Sequence, residues 1–291
     1  MERYLANTSD RSGEQKFHSF KSRIANQAGI VDQIKIARRD LLNLFEFGKE
    51  LERTPYDLER IAAPVVAVVG SFSAGKSSLI NAFYKEDILP VQAIPTTLVP
   101  VRVRPGDSQS YMIGTNEGTK TLRSLSEAQR HIISRDSKAK YAIIQNPEFK
   151  VIPWEWLDMP GANLEAPKEL DLNLQPWELA DLCVVATPAT QPLSLSDVQQ
   201  ILQLAEVFPD KNLCIAITRC DQIAAHQRTF VTNYVNETIK QVLPGKEVKI
   251  IMISSKTGLG VVELKGFLAE SIYELQRKRL AEQIGSYRIM I

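Results

Sequence analysis

The sequence predicts an α/β fold: a mostly parallel sheet with helices on both faces, flanked by N- and C-terminal helices. Short apolar runs rich in β-branched residues, Val65–Val69, Ala180–Ala186, Leu213–Ile217 and Ile250–Ile253, have the composition of strands buried on both faces. Helical periodicity alternates with them, as βαβ connections require. The polar motifs of the chain fall just after these runs, at the carboxyl ends where open α/β sheets bind ligands.

The first strand, led in by Pro64, sets the pattern for the rest. Gly70 ends it, and Lys76 opens a helix whose apolar face is Leu79, Ile80 and Phe83. Between them lies Gly70-Ser71-Phe72-Ser73-Ala74-Gly75-Lys76-Ser77, a complete GxxxxGK[ST] phosphate loop, which specifies a P-loop NTPase-type fold. The glycines let the backbone turn and approach an anion closely. The N-H groups of Ser71 through Ser78 and the positive helix end can then surround the phosphates. Lys76 is placed to meet the outer phosphates, and the Ser77 hydroxyl to ligate Mg²⁺.

At 291 residues the chain is long enough for one large core or two small ones, and 44% hydrophobic with 24% charged residues is an ordinary soluble composition. Lysine and arginine number 35 against 34 acidic residues, so no overall field draws the chain to nucleic acid, and none is expected as a partner. The tight basic cluster Arg277-Lys278-Arg279 reads first as a solvated helix face, with a lipid or partner contact as the alternative. Cys183, Cys214 and Cys220 lack metal or redox spacing and read as core thiols of a reduced, cytoplasmic protein. No signal-peptide pattern and no apolar run near the ~18 residues of a membrane span are present, so any membrane association is expected to be peripheral.

Taken in order, residues 1–15 are unpatterned, and Phe17 to Phe45 carry a helical seam through Phe20, Ile24, Val31, Ile34 and Leu41. After the loop's helix, Leu89-Pro90 leads to Pro95-Thr96-Thr97 and a strand-like stretch over 98–104. A threonine here could reach Mg²⁺ with its hydroxyl and the attacking water with its carbonyl. By position Thr96 and Thr97 are equivalent. Residues 105–150 are less regular: turns at Gly106-Asp107 and 114–118, a helix start at Ser126 with Gln129 before His131, and a strand over 141–144.

Trp154 to Gly161 reads as a strand ending in Asp158-Met-Pro-Gly161. Asp158 at a strand end can hold Mg²⁺ through its water, and the Gly161 N-H can sense a γ-phosphate. The polar stretch from Ala162 to Pro176 has no period, as expected of a switch. A helix follows over 196–207, with Val198, Ile201, Leu202 and Ala205 inward. Thr218-Arg219-Cys220-Asp221 then ends a strand. A carboxylate there can accept from N1-H and the amino group of guanine, a donor pair adenine lacks, while the Arg219 stem lies over the purine. Ser254-Ser255-Lys256 ends the last strand, with N-H groups for the guanine carbonyl. Leu264, Leu268, Ile272 and Leu275 mark a long final helix.

With these motifs in hand, residues 60–270 resemble a dynamin-superfamily GTPase domain, most like the bacterial dynamin-like branch. The resemblance rests on Phe72-Ser73-Ala-Gly-Lys76-Ser77-Ser78-Leu-Ile-Asn81, on Leu89-Pro90 leading to Pro95-Thr96-Thr97, and on Asp158-Met-Pro-Gly161. It implies GTP turnover to GDP with Mg²⁺, and it selects Thr97 as the switch threonine, a third metal position beside Ser77 and Asp158. It assigns Ser73 to helping place a charge-compensating cation or backbone groups near the β- and γ-phosphates, and Asp221 to guanine selection. Catalytic weight thus falls on Ser73, Lys76, Thr97 and Gly161.

Three departures from the family pattern matter. Phe72 stands where eukaryotic dynamins carry a water-orienting glutamine, Ala162 where Ras-like enzymes have one, and Arg219 where the guanine motif usually has lysine. Intrinsic hydrolysis is therefore expected to be slow unless backbone groups or a partner subunit complete the site. The resemblance further implies an N-terminal helical segment (1–60), a GTPase domain (61–261) and a C-terminal helix (262–291) packed with the N-terminal helices like a neck bundle. It also implies a nucleotide-dependent homodimer across the nucleotide face, and a peripheral membrane or larger dynamin-like partner. The rival readings are a GTP-dependent scaffold with little hydrolysis and an Era-type ribosome-associated GTPase. The second would need an RNA-binding domain and a basic face that the sequence does not display.

Overall fold

The computed structural model of the chain describes residues 64–91, 98–134, 138–161, 180–208 and 212–289, with side chains to 279. Its contacts divide the chain into two units, Val65–Leu264 and a second made of Met1–Pro64 with Lys265–Ile291. The seam expected from Phe17 to Phe45, the threonines Thr96 and Thr97, and the stretch from Ala162 to Pro176 lie outside the described residues.

Among the described residues, unit Val65–Leu264 is built on a nine-stranded sheet. The strands are β1 (Val65–Val69), β2 (Val101–Pro105), β3 (Ser110–Thr115), β4 (Gly118–Leu122), β5 (Tyr141–Asn146), β6 (Glu155–Asp158), β7 (Leu182–Pro188), β8 (Leu213–Thr218) and β9 (Lys249–Met252). They lie in the order β4-β3-β5-β2-β6-β1-β7-β8-β9. From β6 to β9 every neighbouring pair is parallel, so five consecutive strands end on one edge. On the far side β2 runs antiparallel to β6, and a β3–β4 hairpin closes the sheet.

Among the described residues the α-helices are α1 (Lys76–Tyr84), α2 (Leu125–Ile133), α3 (Leu195–Val207), α4 (Ala225–Val242) and α5 (Val261–Ile289). Alternation along β1 assigns its residues to two faces. Val65, Ala67 and Val69 join Cys183, Val185, Ile215 and Ile217 in a core closed by Ile201 and Leu204 of α3 and Val235 and Ile239 of α4. On the other face Phe83 of α1 meets Trp156 edge-on at 4.7 Å, and Trp154 packs beside both. Such buried aromatic pairs add about 0.5–1.5 kcal/mol beyond their burial.

Several boundaries differ from the sequence reading. The strand expected over 98–104 begins at Val101, and the irregular region 105–150 holds the β3–β4 hairpin. Helix α2 is capped by Ser124, whose hydroxyl accepts from the Glu127 N-H, so the cap precedes the expected Ser126 by two residues. On α3 it is Leu204 that is buried and Leu202 that is 44% exposed. The stretch between the Asp221 motif and β9 folds as α4, whose largely polar surface leaves only Val235 and Ile239 fully inward.

Candidate functional site

Val68 of β1 stands in register with Asp158 of β6, and Val69 with Val185 of β7, which brings the phosphate loop and the DxxG aspartate to adjacent strand ends. Gly70 has φ +141°, and a Cβ there would lie 2.2 Å from the Ala186 carbonyl oxygen, so only glycine lets the chain leave the sheet at this point. Ser73 and Gly75 are left-handed, with φ 61° and 87°. Left-handed residues in such a loop turn successive N-H groups into an anion-binding concavity, here leading directly into the positive end of α1. The Lys76 ammonium is buried and donates to the carbonyls of Gly70 and Ser71 at 3.1 and 3.0 Å. Burial lowers its pKa, and the carboxylates of Asp158 and Asp197 oppose that shift. The cation is thus held over its own loop.

The Ser77 hydroxyl donates to the Asp158 carboxylate at 2.7 Å, with Asp158 fully buried. A hydroxyl and a carboxylate paired beside a phosphate loop form an all-oxygen donor set, which suits a hard cation such as Mg²⁺. Gly161 sits against the loop itself, because a Cβ on it would fall 2.9 Å from the Phe72 Cα. The DxxG glycine and the residue that departs from the family pattern are therefore in direct backbone contact.

At the end of β8, two successive residues hold two successive loop residues. The Thr218 hydroxyl donates to the Ala74 carbonyl, and the Arg219 guanidinium donates to the Ser73 hydroxyl at 3.1 Å. Cys220 N-H bonds the Ile253 carbonyl, tying this turn to the end of β9. Asp221 is exposed and accepts from the Ser254 hydroxyl at 2.7 Å, which holds its pKa below the ordinary carboxylate value. The Ser254 N-H is itself committed to the Leu259 carbonyl, so Ser254 acts through its hydroxyl, and Ser255 and Lys256 are left to offer the N-H groups expected of this turn. A cavity of about 590 Å³ runs along this face, lined by Gly75, Ser78, Thr218, Arg219, Asp221 and Lys256 among others. Its size falls within the range of small-ligand sites.

Two side chains matter here that sequence reasoning left without a role. Asp197, fully buried at the start of α3, accepts from the Ser71 N-H at 3.3 Å, the Thr187 hydroxyl at 3.2 Å and the Ser194 N-H at 3.1 Å. It therefore positions the phosphate loop from behind. The available signal was Ser194 with an acid three residues on, a capping box, which marks a helix start and carries no hint of the loop contact. Asn81 clasps Leu89 by both backbone groups, at 2.8 and 2.9 Å, and so fixes the chain just before Pro90.

The sequence profile of the dynamin family matches residues 66–218, from β1 to the end of β8. This chain belongs to the dynamin family. Among curated relatives, GTPase Der of Clostridium botulinum is 25% identical over 259 residues, covering 87% of this chain and 50% of Der. Dynamin-like protein 2 of Campylobacter jejuni is 22% identical over 194 residues, covering 65% of this chain and 31% of its own. Among solved structures, a bacterial dynamin from an oligomerised pair described as sensing and tethering membranes superposes with a TM-score of 0.57 at 17% identity, covering 92% of this chain and 48% of that one. At that identity the likeness establishes the fold, which is that of a dynamin-type GTPase domain. The chain spans about half the length of the curated relatives that it matches first. Among the described residues no helix is long and apolar enough to cross a membrane.

Proposed function

We propose that this dynamin-family chain binds GTP and GDP and hydrolyses GTP, acting as a nucleotide-dependent switch. The observation that carries the reading is the convergence, on one edge of five parallel strands, of the phosphate loop, the Ser77–Asp158 pair and the Ser254-held Asp221. In this reading the loop N-H groups and Lys76 hold the β- and γ-phosphates, and Asp221 selects guanine. Ser77 and Asp158, with Thr97, would hold Mg²⁺, which when bound neutralises charge on the phosphate oxygens. Water attacks the γ-phosphorus in line, and the bond to the bridging oxygen breaks. GDP leaves with that electron pair, and inorganic phosphate takes the water oxygen. Thr97 and Gly161 register the γ-phosphate, and its loss releases both segments.

The domain division into 1–60, 61–261 and 262–291, pairing of two copies across the nucleotide face, and cytoplasmic residence with peripheral membrane contact are parts of the same proposal. They draw on the family membership and on the relatives above. One observation favours a second reading, a GTP-dependent scaffold with little turnover: the backbone contact of Gly161 with Phe72 puts beside the switch glycine an apolar side chain, which cannot itself orient water. Single-turnover hydrolysis across a protein concentration series separates the two. A rate that climbs with concentration supports a dimer-completed enzyme, and tight GTP binding with flat, near-zero turnover supports the scaffold. Lys76→Ala is expected to abolish the thermal stabilisation given by GDP, and a variant that keeps the wild-type shift would overturn the site assignment.

A further inference from the structure

The peptide unit between Gly70 and Ser71 is held on both sides by charge. Its N-H meets Oδ1 of Asp197 at 3.3 Å, and its carbonyl accepts from the Lys76 ammonium at 3.1 Å. A carboxylate and an ammonium thus face each other across a single amide, and each hydrogen bond polarises that amide in favour of the other. Both charged side chains are buried, and Asp197 is one of the two carboxylates that oppose the loss of the Lys76 charge on burial. The second oxygen of Asp197 accepts from the Thr187 hydroxyl and the Ser194 N-H. Three donors therefore converge on this side chain, and an ionised carboxylate, which carries no donor of its own, takes all three. Capping α3 does not require the contact with Ser71, because the Ser194 hydroxyl and the Ser194 N-H complete that capping box with Asp197 by themselves.

We propose that Asp197 is the positioning residue for Lys76: by gripping the Ser71 N-H it fixes the Gly70 carbonyl that carries the ammonium, and so sets where the cation of the phosphate loop stands. The inference rests on the nucleotide-binding reading above. It assigns the Ser71 N-H to the carboxylate and leaves the later N-H groups of the loop to the phosphates. It also gives the segment after β7 a part in the site, because Asp197 enters from α3 and is itself held by Thr187 at the end of β7. Without the grip the Gly70–Ser71 peptide is free to rotate, and the ammonium loses its anchor where the outer phosphates bind.

Asp197→Asn tests this selectively. Two donors meet one oxygen and a single donor meets the other, so the amide oxygen is drawn to Thr187 and Ser194. The amide NH₂ is then turned on the Ser71 N-H, and the helix cap survives while the grip does not. Affinities for GMP, GDP and a non-hydrolysable GTP analogue are measured in Mg²⁺ by competition against fluorescent GDP, for wild type, Asp197→Asn and Thr187→Val. Lys76 meets only the outer phosphates in this reading. Asp197→Asn is therefore expected to weaken GDP and the analogue about tenfold, or about 1.4 kcal/mol, and GMP less than about twofold. Thr187→Val, which removes a donor from the other oxygen, is expected to lower the thermal midpoint and leave the ratio of GDP to GMP affinity unchanged. A purely structural role for Asp197 would weaken all three nucleotides equally, and that outcome, or no loss at all, overturns the inference. Wild type supplies a second readout that stands even if the variant does not fold. In a GDP titration followed by amide NMR, the Ser71 resonance is expected to shift less than those of Ser73, Gly75 and Lys76, and a Ser71 shift as large as theirs overturns the inference. Failure of wild type to bind guanine nucleotide overturns the nucleotide reading instead.

Discussion

At the scale of single residues, the site is a set of side chains each held by another. Asp221 shows the consequence most clearly. Its carboxylate is stabilised chiefly by the Ser254 hydroxyl, so its pKa lies below the ordinary value. A depressed carboxylate keeps its charge above that lowered value and loses it only as pH falls through it. Guanine selectivity should thus persist into mildly acidic solution. In Ser254→Ala the pKa rises back toward the ordinary carboxylate range, and the pH at which GDP affinity collapses should move up. A pH series of GDP titrations on the two proteins checks this, and superimposable profiles would remove Ser254 from the account. The residues of the proposed site were nameable from the sequence because a polyphosphate and a guanine impose residue types at fixed offsets, and the structure brings Lys76, Ser77, Asp158 and Asp221 to one edge of the sheet. Asp197 was not nameable, since its bond to the Ser71 N-H joins residues 126 positions apart and looks, locally, like an ordinary helix cap.

Among the elements, the unit β1–loop–α1 is the most constrained. Gly70 combines a left-handed backbone with a close approach to the Ala186 carbonyl, so Gly70→Ala must move β1 against β7. The expected cost is about 3 kcal/mol or more, combining backbone strain and overpacking, readable as a lowered denaturation midpoint with an unchanged m-value. A loss within about 0.5 kcal/mol would mean that the loop tolerates a side chain there. The buried parallel strands were legible because both of their faces are apolar. The β3–β4 hairpin was not: four of the five residues of β4 are exposed, and a strand at the sheet edge with no buried face leaves no alternation to read. Helix α4 escaped for the matching reason, since only two of its eighteen residues are fully buried. In α3 the inward face was misplaced by the choice of Leu202 over Leu204, because polar Asp197 occupies a core position that periodicity assigns to an apolar residue.

For the molecule as a whole, topology decides where chemistry can occur. Five neighbouring strands that all point one way leave the ends of β6, β1, β8 and β9 within reach of one ligand, and the reversal at β2 closes that edge. The sequence order of the motifs foretold this arrangement, since each followed an apolar strand. The number and order of the outer strands did not follow, because pairing partners far apart in sequence leave no local mark. The central claim is that this edge binds a guanine nucleotide and discriminates by the base. Calorimetric titration with GDP and with ADP, in the presence of Mg²⁺, tests it most directly. The account predicts GDP binding at least about 100-fold tighter than ADP, the scale of discrimination that a paired carboxylate acceptor provides. Equal affinity for the two, or binding of neither, would contradict it.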